Sequence, residues 1–282
     1  MTHGSPPTTI QAPVVGLFAD AAATPGTVVD IANEVNVNEG TVTTAWAIVA
    51  NAGAGQVLLK NGSDVGNVWS IGPVSLETGT GSNTTVHGSV RSGSTVTVPP
   101  GATVTPGPTL ASQTITLGLT QIAATFPSPP PADITQNTNT TLSLPPGAYG
   151  NVTINQGTLS LSPGTYTFES LILETGTTFL GNNASALLRV NIKGTFTCRA
   201  AMTTATNPVN LRFAVFGTGD TNLEAGSTTS IFRGSVVAMN GVLHIQGTRT
   251  FRGAFFGRTV VVGLGATIQH QAFSAWEAPT IP

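Results

Sequence analysis

Charge is what this 282-residue chain has least of. Asp, Glu, Lys and Arg make up 8% of it, against about 25% in an ordinary globular domain. Ten cations against 12 anions give a net charge of −2, so no basic patch exists to neutralise nucleic-acid phosphates. There is one cysteine, Cys198, which excludes an internal disulfide and a cysteine-based metal cage. No apolar run approaches the roughly 18 residues needed to cross a bilayer as a helix. The opening Met1-Thr-His-Gly-Ser-Pro-Pro7 lacks a basic segment and an apolar segment of the kind a leader has. A surface made of Thr, Ser, Asn, Gln and Gly suits a secreted or surface-displayed protein. The expected location is therefore extracellular or at the cell surface, in a mature form without its leader.

Helical periodicity is also missing. No 12-residue window carries an amphipathic helical pattern with caps. What is present is alternation and repetition. Leu142-Ser-Leu-Pro-Pro-Gly-Ala-Tyr149 returns shortly afterwards as Leu159-Ser-Leu-Ser-Pro-Gly-Thr-Tyr166. Phe232-Arg-Gly-Ser-Val236 returns at a similar interval as Phe251-Arg-Gly-Ala-Phe255. Repeats of this length with strand-like contents mark a solenoid, in which each coil buries its apolar face on the next. The expected fold is all-β: a single-stranded parallel β-solenoid (β-helix) with coils of about 17–20 residues, right-handed as strand–crossover–strand connections are.

Five segments are expected. Residues 1–26 form an apolar Pro/Ala-rich arm. Residues 27–104 are β-rich and form early coils. Residues 105–140, with Pro127-Ser-Pro-Pro-Pro131, cross along the outside. Residues 141–273 are the main solenoid, with about seven coils, and 274–282 are a tail or cap. Inward candidates include Val152, Ile154, Leu159, Leu161, Tyr166, Phe168, Leu171 and Leu173, because period-2 alternation sends their neighbours outward.

The phrases Leu144-Pro-Pro-Gly-Ala-Tyr149, Leu161-Ser-Pro-Gly-Thr-Tyr-Thr-Phe168 and Phe251-Arg-Gly-Ala-Phe255 resemble a bacterial β-helix domain of uncharacterised function. That domain occurs in surface and pilus-associated proteins. The closing repeats are distantly similar to bactofilins, which polymerise. The resemblance spans roughly residues 80–273 and rests on turn and core motifs. It therefore implies architecture more than activity.

Chemistry is sparsely represented. The twelve carboxylates seldom recur at the coil spacing, so a carbohydrate-cleaving pair is not expected. Glu169 and Glu174 flank one strand and read as solvated acids. His3, His87, His244 and His270 are far apart and point to no metal site. No catalytic, metal-binding or cofactor-binding residue is assigned, and the protein is expected not to be an enzyme. Two features suggest contacts. Arg212, Arg233 and Arg252 form an expected row that meets a ligand carboxylate or sulfate, or a neighbouring subunit. Ile10, Val14, Val15, Leu17 and Phe18 form an expected subunit-contact arm. Outward threonine rows such as Thr95 and Thr97 suggest ice binding, but they fail to continue in register over many coils. The expected function is a self-assembling, head-to-tail subunit of an extracellular fibre or surface layer. The alternative is a glycan- or surface-binding adhesin module. The expected partner is the protein itself, then surface glycans.

Overall fold

The structure is a computed structural model. It describes residues 8–11, 15–19, 27–32, 35–39, 48–79, 82–105, 109–112, 115–118, 122–224, 231–271 and 273–274. It is all-β, with parallel strands stacked as a β-solenoid of about 10 turns. At about 4.8 Å per turn the stack is roughly 45 Å tall.

Each turn carries up to three strands, so the solenoid has three faces. One turn shows the plan. Leu211–Val215 lies on the first face, Thr221–Leu223 on the second and Ile231–Arg233 on the third. Side chains alternate in and out along each strand. On the first face, Tyr166, Val190, Phe213, Val236 and Phe255 stack inward in register and are fully buried. The inward candidates named from the sequence are all buried. Aromatic rings continue the stack: Phe196 lies on Phe213 with centroids 4.7 Å apart, and Phe232 lies 6.1 Å from Phe251. The copied Phe-Arg-Gly phrase also has a backbone reason. Gly253 has φ +158°, and a Cβ there would meet the Gly234 carbonyl oxygen at 2.1 Å, so the corner admits only glycine.

Coil length is less regular than the repeats suggest. Val152 pairs with Leu171, but Leu171 pairs with Phe196, a visibly longer step along the chain. The extra residues sit at corners and are tied by side chains. Buried Asn183 donates to the Asn207 carbonyl at 2.9 Å and accepts from the Asn207 N–H at 2.8 Å.

The order of the coils differs from the order of the chain. Val15–Ala19 pairs on one side with Phe255–Val262 and on the other with Ile48–Asn51. Thr27–Ile31 likewise pairs with Phe255–Val262 and with Gln56–Leu59. Asn36–Glu39 pairs with Thr267–His270. The chain thus enters the stack in its middle and climbs to Thr109–Leu110, which pairs with Val90–Ser92. It returns outside the stack and re-enters at the far end with Ile134–Gln136, paired to Gly147–Ile154. From there it winds back until Phe255–Val262 and Thr267–His270 meet Val15–Ala19, Thr27–Ile31 and Asn36–Glu39.

This corrects the arm. Over Val15–Ala19 the segment is an internal strand, bonded on both edges, with Leu17 fully buried. Thr8–Gln11 pairs with Ile115–Gly118 of the return segment. For Ile10, Val15 and Phe18 only the backbone is described, and Val14 lies outside the described residues, as does the tail from Ala275. The return segment is also narrower than 105–140, because Thr109–Leu110 and Ile134–Gln136 belong to coils.

The first face is covered. Its outward side chains Ala50, Ala214, Val237 and Phe256 are buried, yet they lie outside the interior cluster. In the return segment Ile122, Ala124 and Phe126 are half-buried while Ala123 and Thr125 are exposed, the signature of an extended strand lying on a surface. Phe126 meets Phe216 edge-on at 5.4 Å. The second and third faces remain.

Candidate functional site: the third face

The third face is built from Thr141–Leu144, Thr158–Leu161, Thr178–Gly181, Ala201–Met202, Ile231–Arg233, Thr250–Gly253, Thr267–His270, Asn36–Glu39, Asp64–Val65, Thr85–Val86 and Thr103–Val104. The second residue of each strand points inward, from Leu159, Phe179 and Met202 to Phe232, Phe251 and Ile268, and anchors the first outward. The first residues form an outward column in two separately registered stretches, with no strand ladder among the described residues joining Ala201 to Ile231. It runs Thr141, Thr158, Thr178, Ala201, and then Ile231, Thr250, Thr267, Asn36, Asp64, Thr85, Thr103. Seven of these eleven are threonine, so one hydroxyl and one methyl recur at the strand spacing of about 4.8 Å. Their χ1 angles are stiff because threonine is β-branched. A second outward column runs beside it through Ser143, Ser160 and Leu180, and through Arg233, Arg252 and Gln269.

The threonines stand in register in runs of three, two and two, broken by Ala201 and Ile231 and by Asn36 and Asp64, so no threonine row continues over many coils. Thr97 lies on the second face, paired with Ser75. The third-face runs are made of other threonines.

No protein-family model and no curated protein sequence matches the chain. A solved structure similar to it is the ice binding protein from an Antarctic bacterium, Flavobacteriaceae. The two are 17% identical with a TM-score of 0.32, and the match covers 95% of this chain and 82% of that one.

The second face has a different character. Its outward column passes through Thr153, Ile172, Thr197, Asn222, His244, Val261 and Asp30. The corner beyond it carries an ion ladder. Arg199 sits between Glu174 and Glu224, donating to Glu174 Oε2 at 2.8 Å and to Glu224 Oε2 at 2.6 Å. Those two carboxylates hold the Arg199 guanidinium well above its ordinary range, with Glu224 the stronger cause. Arg249, almost wholly buried, donates to the Glu224 carbonyl at 2.9 Å and lies 5.1 Å from the Phe251 ring centre. Sequence reasoning missed Arg249, since a lone arginine at a turn carries no signal of burial. Burial pushes the Cys198 thiol up to about 11.

The expected arginine row is a pair. Arg233 and Arg252 are in register on the third face. Arg212 is not with them. It lies on the first face, in register with Arg189 and Ser235, and its guanidinium sits 5.6 Å from the Phe273 ring centre. The coil-like interval between Arg212 and Arg233 misleads, because Arg212 opens a turn and Arg233 closes the same turn.

The acids are engaged elsewhere. Glu169 pairs with Lys193 at 3.0 Å and Glu174 with Arg199 at 2.8 Å. His87 meets Asp64 at 2.9 Å. Among the described residues no group of three His, Cys, Asp or Glu side chains could hold a metal ion, and no helix is long and apolar enough to cross a membrane.

Proposed function

We propose that this protein is a non-catalytic, extracellular surface-binding solenoid, that its third face is the binding face, and that the surface it lies on is ice. The observation that supports this is the outward column of the third face, in which threonines stand in register in runs of three, two and two. A crystal is recognised by a rigid array whose repeat matches its own. The strand spacing of about 4.8 Å is close to the oxygen repeat of hexagonal ice. Each threonine offers a hydroxyl that can join a water lattice and a methyl that ordered water can cage. Stiff rotamers on a stacked sheet leave little entropy to lose on contact.

The fibre reading had its main support in an apolar arm free to leave its subunit. With Val15–Ala19 bonded on both edges inside the stack, that support is gone. Binding a glycan through the same face stays as the second reading, carried by Arg233 and Arg252.

Ice affinity and thermal hysteresis of the purified chain test the proposal. Thr158→Tyr and Thr267→Tyr, each placing a ring in the column, should abolish most of the activity. Thr153→Tyr on the second face should leave it intact. An intact protein that neither enriches in ice nor shapes crystals would overturn the ice reading. Filaments at high concentration by sedimentation would restore the fibre.

A further inference from the structure

We infer that Arg233 and Arg252 form an oxyanion site on the third face, and that its ligand is the carboxylate or sulfate group of an acidic polysaccharide. The two residues are partners in register on adjacent strands, so two guanidinium side chains leave the sheet side by side, about 4.8 Å apart at the backbone. Like charges this close repel unless something compensates them. Elsewhere this chain shows compensation at work, where Arg199 is clasped between Glu174 and Glu224. Nothing equivalent serves the pair. Among the described residues, no carboxylate forms an ion pair with either arginine.

Their hydrogen bonding is incomplete in the same direction. Arg252 Nε donates to Gln269 Oε1 at 2.6 Å, which fixes that side chain on the side away from Arg233. Arg233 Nε is buried and has no hydrogen-bond partner among the described residues. Thr203 Oγ1, beside Met202 whose sulfur takes the Arg233 backbone N–H at 3.0 Å, is buried and unpartnered too. Burial and the neighbouring Arg252 charge both push the Arg233 guanidinium below its ordinary range, in that order of weight. A bound oxyanion relieves the uncompensated charge of the pair. It takes the outer edges of both guanidinia, as planar carboxylates and sulfates do, and neutralises the repulsion. The hydroxyl of Thr250 stands in the adjacent column on the same strand as Arg252, where a sugar bearing the anion would lie along the face.

Binding of the intact chain to a uronate polymer, a sulfated polymer, neutral dextran and inorganic sulfate tests this, measured by calorimetry at low and high salt. One of the acidic polymers should bind, dextran should not, and salt should weaken the binding. Arg233→Gln and Arg252→Gln should each reduce affinity about tenfold or more, as expected for a lost charge-assisted bond. Arg189→Gln, an arginine on the first face, should change little. Equal losses from Arg189→Gln, binding of neither acidic polymer, or binding of inorganic sulfate alone would overturn the proposal. Thermal hysteresis of the same variants is read separately, so a failed ice reading and a failed anion site are distinguishable.

Discussion

Leu17 stands in register with Phe255, near the opposite end of the chain. Both are fully buried. This pairing, with Ile48–Asn51 on the other edge, places Val15–Ala19 in the middle of the stack and not at an end.

Leu17→Ala should therefore destabilise the whole protein by about 2–5 kcal/mol, as for any buried leucine whose neighbours cannot close the gap. A peripheral arm would give a value near zero. Urea denaturation followed by circular dichroism separates the two. Removing residues 1–26 should go further and prevent cooperative folding, because it takes one strand out of the central ladder.

The protein should show no hydrolase or lyase activity on neutral or uronate polysaccharides. Glu169 and Glu174 are each bound to a different cation, Lys193 and Arg199, whereas a cleaving pair of carboxylates must face one another across the bond it breaks. Reducing-sugar and unsaturated-uronate assays check this. Turnover that disappears in Glu169→Gln or Glu174→Gln would contradict it.

Cys198 should resist thiol reagents in the folded protein and react fully once unfolded. Its thiol is fully buried, and burial lifts its pKa from 9.0 to about 11. The sign for stability follows. The folded state keeps the proton longer than the unfolded chain does, so this contribution is complete below about pH 9. It falls as pH rises from 9 towards 11. Cys198→Ala should remove that alkaline component of the stability profile, and thermal denaturation at pH 8 and pH 10 measures it.

Much of this fold is legible in the sequence because alternation is a local property. Val152, Ile154, Leu171 and Leu173 are inward, and the alternation of each strand about them is visible without any knowledge of its neighbours. The copied Phe-Arg-Gly phrase places Arg233 beside Arg252 correctly, since a repeat that includes a corner glycine also fixes the register. The threonine column is hidden by irregular corners. Its steps from Thr158 to Thr178 and from Thr178 to Ala201 are unequal, so no fixed period reveals it. The same irregularity puts Arg212 on the wrong face of a row drawn by spacing alone. The union of Val15–Ala19, Thr27–Ile31 and Asn36–Glu39 with residues 255–270 leaves no trace at all, because strands joined by backbone hydrogen bonds need not resemble each other.

That union has a consequence for how the molecule is made. When the ribosome has finished residues 15–39, the strand that will cover their other edge does not yet exist. At about 5–20 residues per second it arrives on the order of 10–50 seconds later. Until then a central strand of the finished protein is an open, apolar edge, the kind that recruits other chains. The middle of the stack is the first part to be synthesised and the last to be closed. Contacts this distant in sequence also make for slow folding. Holding the nascent N-terminal coils apart from one another matters more here than in a solenoid wound in a single pass.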